Sequence, residues 1–450
     1  MQHQENPYAS PESQPESGGG RAPGTLRLSA IFGLLYFMQG MSEPSKGPIH
    51  QPAQDLLETW GYSAQQVGFF FTLLGAPWLF KPLFGWISDF LPLAGYRRKS
   101  YLMITTATAS LGFTVLAMQP WGTVPHYQLL LAMLMLPAVG MAFSDVVIDG
   151  LMVETGQPLG LTGRLQSVQW TSLYVAGFIM SWLAGYLTGQ KQYRLVMALC
   201  AAGPAVACLV TVLFVREKPL RGVRQGEHFR AALANFIAAA RSPLVFCVGG
   251  FLVLWNFNPF ADTIQQLHVT KVLKLEQEFY GRMEAAYAIA AATGCLMYGL
   301  YCRRIRMTRL VHISIVLGIF STLSYWFMHD KPSALAVSIA AGFAAATATM
   351  IQLDLAARIV PAAVAGTVFA LLMSLANLGS GFSPGVGGTI YDMIEPSRGP
   401  YAAYNILVAI GACCTACCWF LTPGLQRLIR QAGPVKPGTP GAPPSLPTVE

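Results

Sequence analysis

The chain has 450 residues, of which 53% are hydrophobic and only 11% charged, where a soluble domain carries about a quarter charged residues. So few charges cannot cover a solvated surface of that size, which excludes a soluble globular protein and leaves an all-α, polytopic membrane protein. The formal net charge of +8 then reports topology and attraction to anionic inner-leaflet lipid, not a nucleic-acid partner.

Residues 1–24 (MQHQENPYASPESQPESGGGRAPG) are polar and rich in Pro, Ser and Gly. They lack the basic and apolar regions of a cleavable signal, so a disordered cytosolic tail is expected. Beyond them, a ruler of about 20 apolar residues per roughly 30 Å hydrocarbon core marks twelve spans. They fall at 26–47, 65–87, 100–119, 128–152, 164–188, 193–215, 243–262, 280–301, 309–328, 333–355, 364–390 and 400–421. The expected organisation is a six-helix half at 25–215, a cytosolic linker at 216–243, a second six-helix half at 244–422 and a disordered cytosolic tail at 423–450. One echo supports duplication. Gly163 and Gly366 open spans 5 and 11, and Gly185 and Gly388 recur 22 residues later in each.

Basic residues fix the expected orientation. With both termini cytoplasmic, the inner segments hold Arg97, Arg98 and Lys99, the arginines and lysine of the linker, and Arg303, Arg304, Arg306 and Arg309. That is about 20 of the 29 basic residues, with Lys81 left inside span 2. The four cysteines of CCTACC (413–418) have no His or acidic residue near them and read as helix packing.

Between spans 2 and 3 stands KPLFGWISDFLPLAGYRRKSYL (81–102). Gly85 permits close helix packing, Asp89 ends the helix, Gly95 turns the chain, and Arg97, Arg98 and Lys99 anchor it inside. This resembles the Gly-x-x-x-Asp…Gly-x-Arg-Arg loop of the major facilitator superfamily, with five residues between Asp89 and Gly95 instead of two. The longer form is similar to the folate-biopterin transporter family, as are LYFMQG (35–40), SDVVIDGLMVE (144–154), GRLQSVQW (163–170) and GTVFALLMSLANLGS (366–380). The stretch SEPSKGPIHQP (42–52) departs from the family pattern. The resemblance implies a major facilitator-type bundle of two six-helix halves. It implies a proton-coupled secondary transporter of folate- or pterin-like organic anions, working by alternating access. A same-fold permease for a muropeptide, nucleotide or coenzyme-A ester is the alternative. No phosphate loop (G-x-x-x-x-G-K-[ST]) is present to drive transport with ATP. No enzyme activity, cofactor or metal is expected, and a bacterial inner membrane is the expected location.

Charges at membrane depth are costly and mark function. Glu43 and Lys46 flank Pro44 near the outer end of span 1, and Asp262 mirrors Glu43 in span 7. Asp145 and Asp149, four residues apart, share one face of span 4. Asp145 is expected to carry proton or substrate chemistry. Asp149 and Glu154 are expected to answer Arg97 and Arg98 in a cytoplasmic gate with Gly85, Asp89 and Gly95. Gln166 and Trp170 of span 5 complete the substrate candidates, as groups able to hydrogen-bond to or stack on a flat ring.

Overall fold

The computed structural model describes residues 23–431 except 46, 123–124, 157–158, 160, 218–233, 235–236, 238–240, 302–304 and 360–364. Lys46, residues 1–22 and 432–450, and most of the expected linker lie outside the described residues. The described residues contain helices and no strand, with one isolated bridge between Leu93 and Tyr96 in the basic loop.

The first half comprises α1 (Pro23–Gly40), α2 (His50–Thr59), α3 (Ala64–Gly75), α4 (Lys81–Phe90), α5 (Lys99–Met118), α6 (Tyr127–Gly156), α7 (Thr162–Gly189) and α8 (Tyr193–Phe214). The second comprises α9 (Pro243–Asn256), α10 (Thr263–Leu267), α11 (Gln277–Tyr301), α12 (Met307–Ser324), α13 (Lys331–Ile359), α14 (Ala365–Arg398) and α15 (Pro400–Gln431). A turn of tighter helix (Ala76–Phe80) joins α3 to α4, making one continuous rod. Among the described residues, seven helices or rods are long and apolar enough to cross a bilayer by themselves. α15 runs to Gln431, past the expected start of the second tail at 423.

Local chemistry accounts for the ends. Ser63 caps α3 through a reciprocal capping box with Gln66. Pro82 and Pro243 occupy the first turns of α4 and α9, where a missing N–H does no harm. Spans 1 and 7 depart from expectation in the same way. Each stops short, at Gly40 and Asn256, and resumes after a non-helical break as α2 and α10. The breaks at 41–49 and 257–262 contain Pro44, Pro48 and Pro259, which cannot donate to a helix. Glu43 and Asp262 both sit in these breaks, so their mirrored positions are a property of the fold.

Separate apolar cores fill the two halves. One is built around Phe70, Phe71, Phe113 and Leu134, the other around Phe260, Tyr280, Tyr404 and Leu407. Two helix crossings join the halves, α7 with α11 and α3 with α14. The two echoing glycines lie at these crossings. A Cβ on Gly185 would stand 2.6 Å from the Cα of Gly281, and one on Gly388 would stand 2.1 Å from the carbonyl oxygen of Ala64. Further along, a Cβ on Gly177 would meet only Ala288, at 3.8 Å, and one on Gly75 or Gly381 would meet nothing within 4 Å. The echoing glycines therefore mark tight contact between the halves at the end holding α2 and α10.

Candidate functional site

A buried ionic cluster forms where four helices of the first half meet. The break after α1 and the Pro82-initiated α4 bring Gln39 and Lys81 toward the acidic face of α6. Lys81 Nζ pairs with Asp145 Oδ2, and the Gln39 amide donates to Asp145 Oδ1. The Lys81 and Asp145 side chains are 17% and 12% exposed, so neither charge is fully sealed. One turn on, Asp149 accepts from the Tyr36 hydroxyl at 2.6 Å and from the Gln169 amide at 3.1 Å. The oxygen of Gln39 has no hydrogen-bond partner. A lysine at this depth is stable as a cation only beside a carboxylate, and the carboxylate is likewise stable only beside the lysine. Chemically, the cluster is a cation that can exchange one carboxylate for another.

This geometry departs from one expectation. Asp149 does not answer Arg97 or Arg98; its partners are Tyr36 and Gln169. Gln166 is exposed, and the glutamine that enters the cluster is Gln169, three residues on. Trp170 tilts against Tyr174 with ring centroids 6.0 Å apart. Glu43 accepts from the Ser45 hydroxyl and backbone N–H within its own break.

The basic loop forms a second cluster, with the expected partners apart from Asp149. Arg98 reaches Asp89 at 2.5 Å and Glu154 at 2.9 Å, and Arg97 reaches Glu154 at 3.4 Å. Arg98 also donates to Ser88 Oγ at 2.7 Å. The turn works because Gly95 adopts φ +83, a region that costs glycine nothing. Gly150 leaves room for the guanidinium, since a Cβ there would lie 2.7 Å from Arg98 Cζ. Gly85 faces only Val146 of its own half, at 3.5 Å from a Cβ built on it. Glu217, which the sequence did not single out, accepts from the backbone N–H groups of Arg97, Arg98 and Lys99 and so caps α5 from the far side of the half.

At the opposite end, glutamines tie the halves together. Gln54 donates to the carbonyl of Thr263 at 2.7 Å, Gln266 to that of Gln51 at 3.1 Å, and Gln51 to that of Gln277 at 2.6 Å. Gln277 in turn donates to Asp55 at 3.0 Å, and Lys271 pairs with Glu58 at 3.4 Å. Asp55 also holds Lys191 at 2.7 Å and the Tyr193 hydroxyl at 2.5 Å. None of these was singled out, because α2 reads in sequence as an outer loop. In the second half Asp262 has a neighbour that sequence reasoning missed, Glu284 of α11, which accepts from Gln265 at 3.3 Å.

A sequence profile of the BT1 family matches residues 51–432. The folate-biopterin transporter of Synechocystis sp. is 28% identical over 412 residues, covering 87% of this chain and 80% of that protein. In fold, the chain is similar to a point mutant of the nucleoside transporter NupG, at a TM-score of 0.67 and 14% identity over 89% of this chain and 99% of that one. It is equally similar to a bacterial homologue of the human lysosomal transporter Spinster in an inward-facing, occupied conformation, at a TM-score of 0.67 and 15% identity over 91% and 98%. Both are major facilitator-type transporters. The chain thus belongs to the BT1 family of folate-biopterin transporters and is a multi-pass membrane transporter, not an enzyme.

Proposed function

We propose that this chain carries a folate- or pterin-like organic anion across a bacterial inner membrane, coupled to protons, by alternating access between two six-helix halves. The observation that carries this reading is the buried Lys81–Asp145 pair. A substrate oxyanion that takes Asp145's place on Lys81 leaves Asp145 as a carboxylate at low dielectric with no cation. Such a group takes up a proton instead of remaining charged. Anion and proton would then move together, and Glu43 and Asp262 in the two breaks are further candidates for holding the proton or a neutral part of the substrate. In this reading twelve spans cross the membrane with both termini inside, and the basic loop is cytoplasmic. The bundle, closed at the glutamine end, is then inward-open, and the Arg98–Asp89–Glu154 cluster belongs to the cytoplasmic gate.

The test is uptake of labelled folate and biopterin in cells lacking their own carrier, beside a panel of nucleotides, muropeptides and coenzyme-A esters. Accumulation of folate or biopterin, stronger at acid external pH, supports the reading; no uptake of either at acid or neutral pH sinks it. Asp145→Asn is expected to abolish pH-dependent accumulation and spare exchange. Wild-type behaviour of that variant would remove Asp145 from the coupling step.

A further inference from the structure

Behind the break between α9 and α10 lies a partly open cavity of about 210 Å3, lined by residues of the second half. All six spans of that half reach it, through residues such as Trp255, Tyr287, Gly318, Thr349, Ser383 and Thr415. Lys, Arg and His are absent from its lining, and Asp262 is the only formal charge there. No cationic side chain lines it to hold an anion.

The hydrogen bonds of the wall say more. A hydroxyl has one hydrogen to give and two lone pairs to receive with. Here Ser321, Thr349, Ser380, Ser383 and Thr415 give theirs to backbone carbonyls, at 2.9–3.4 Å. The Trp255 indole N–H goes to the carbonyl of Ser314 at 3.3 Å, and the Asn256 amide to that of Leu252 at 2.8 Å. The hydrogens of these groups are thus turned away from the cavity, while hydroxyl lone pairs and the Asp262 carboxylate remain to receive. The Asn258 amide and the Tyr287 and Tyr325 hydroxyls also line the cavity and can donate, so a fitting molecule brings N–H groups to Asp262 and an acceptor beside them.

Size and shape narrow the class. The volume is several times the roughly 30 Å3 that one water occupies in the liquid, so a bare ion does not fill it. Trp255, Phe260, Tyr287 and Tyr325 supply flat apolar walls suited to a planar ring.

We propose that this cavity binds the N–H edge of a planar 2-amino-4-oxo heterocycle, with the Asp262 carboxylate accepting from the 2-amino group and the adjacent ring N–H. Two parallel N–H···O bonds to a carboxylate are strong and directional. The proposal rests on the transport reading only in taking a pterin ring as the natural bearer of that edge.

The test uses the full-length chain purified in detergent and calorimetric titration with isocytosine, its isomer cytosine, and biopterin. Isocytosine carries the edge with no pteridine or tail; cytosine has the same size and stacking surface but presents acceptors there. Isocytosine and biopterin are expected to bind, with cytosine at least about tenfold weaker. Asp262→Asn keeps the side chain's shape and removes its charge; it is expected to weaken isocytosine and biopterin at least about tenfold. Ala345→Phe, which fills the cavity without touching a charge, is expected to do the same. Equal binding of cytosine and isocytosine, no binding of isocytosine, or unchanged affinities in both variants would overturn the proposal. If isocytosine binds as expected while cells take up neither folate nor biopterin, the cavity assignment stands and the transport reading falls.

Discussion

Lys81 and Asp145 depend on one another. Each is a charge inside an apolar bundle, and each has the other as its ion-pair partner. Removing one member of a buried pair typically costs about 3–5 kcal/mol, because the survivor is left uncompensated, whereas replacing both by apolar groups is often neutral. Lys81→Met alone is therefore expected to lower the thermal unfolding midpoint of the purified protein. Lys81→Met combined with Asp145→Leu should recover most of that loss and still fail to transport. A double variant as unstable as the single one would show that the pair is held by something other than mutual neutralisation.

Helix α5 begins where three successive backbone N–H groups point at a carboxylate from the chain's own midpoint. Glu217 accepts all three, at 2.8–3.0 Å, and a charge of that sign also suits the positive end of the helix. Caps of this kind contribute about 0.5–2 kcal/mol. Glu217→Gln is expected to loosen the basic loop and speed amide hydrogen exchange at residues 97–99, with exchange in α12 unchanged. At the other end of the bundle, α14 crosses α3 with no room for a side chain at Gly388. Gly388→Val should force the two helices apart there, read as faster alkylation of a cysteine placed at Gln54. Unchanged alkylation would mean that the crossing relaxes elsewhere without opening.

At the scale of the whole molecule, the two halves are tied at the end holding α2 and α10 by glutamine hydrogen bonds and the Lys271–Glu58 pair. Gln54 and Gln266 each reach from one half to a backbone carbonyl of the other. A typical hydrogen bond contributes only about 0.5–1.5 kcal/mol, so a latch of a few such bonds can open on a transport timescale. Gln54→Ala with Gln266→Ala is expected to shift the population toward separation at that end. The measurement is the distance distribution between spin labels on α2 and α10. An unaltered distribution would place the closure in the glycine crossings alone.

Much of this was legible in the sequence. Scarcity of charge fixed a membrane bundle, because so few charged groups cannot solvate so large a chain. Pro44 and Pro259 stand where spans 1 and 7 are interrupted, although the ruler of apolar length ran straight through both. The loop at 81–102 carried the family, and Arg98 found Asp89 and Glu154 as its chemistry required, since those partners lie close along the chain or on the next accessible helix end. Tertiary structure decided the partners of the buried groups. Asp145 and Asp149 share a helix face, yet one meets a lysine and the other a tyrosine and a glutamine. Helix spacing sets which face a residue occupies and is silent on which helix lies opposite. Glu284, Glu217 and the glutamine latch stayed hidden for the same reason. Glu217 meets the start of α5 across its own half, Glu284 meets Gln265 of the break-adjacent α10, and only for the glutamine latch does the packing of the two halves bring the partners within hydrogen-bond reach.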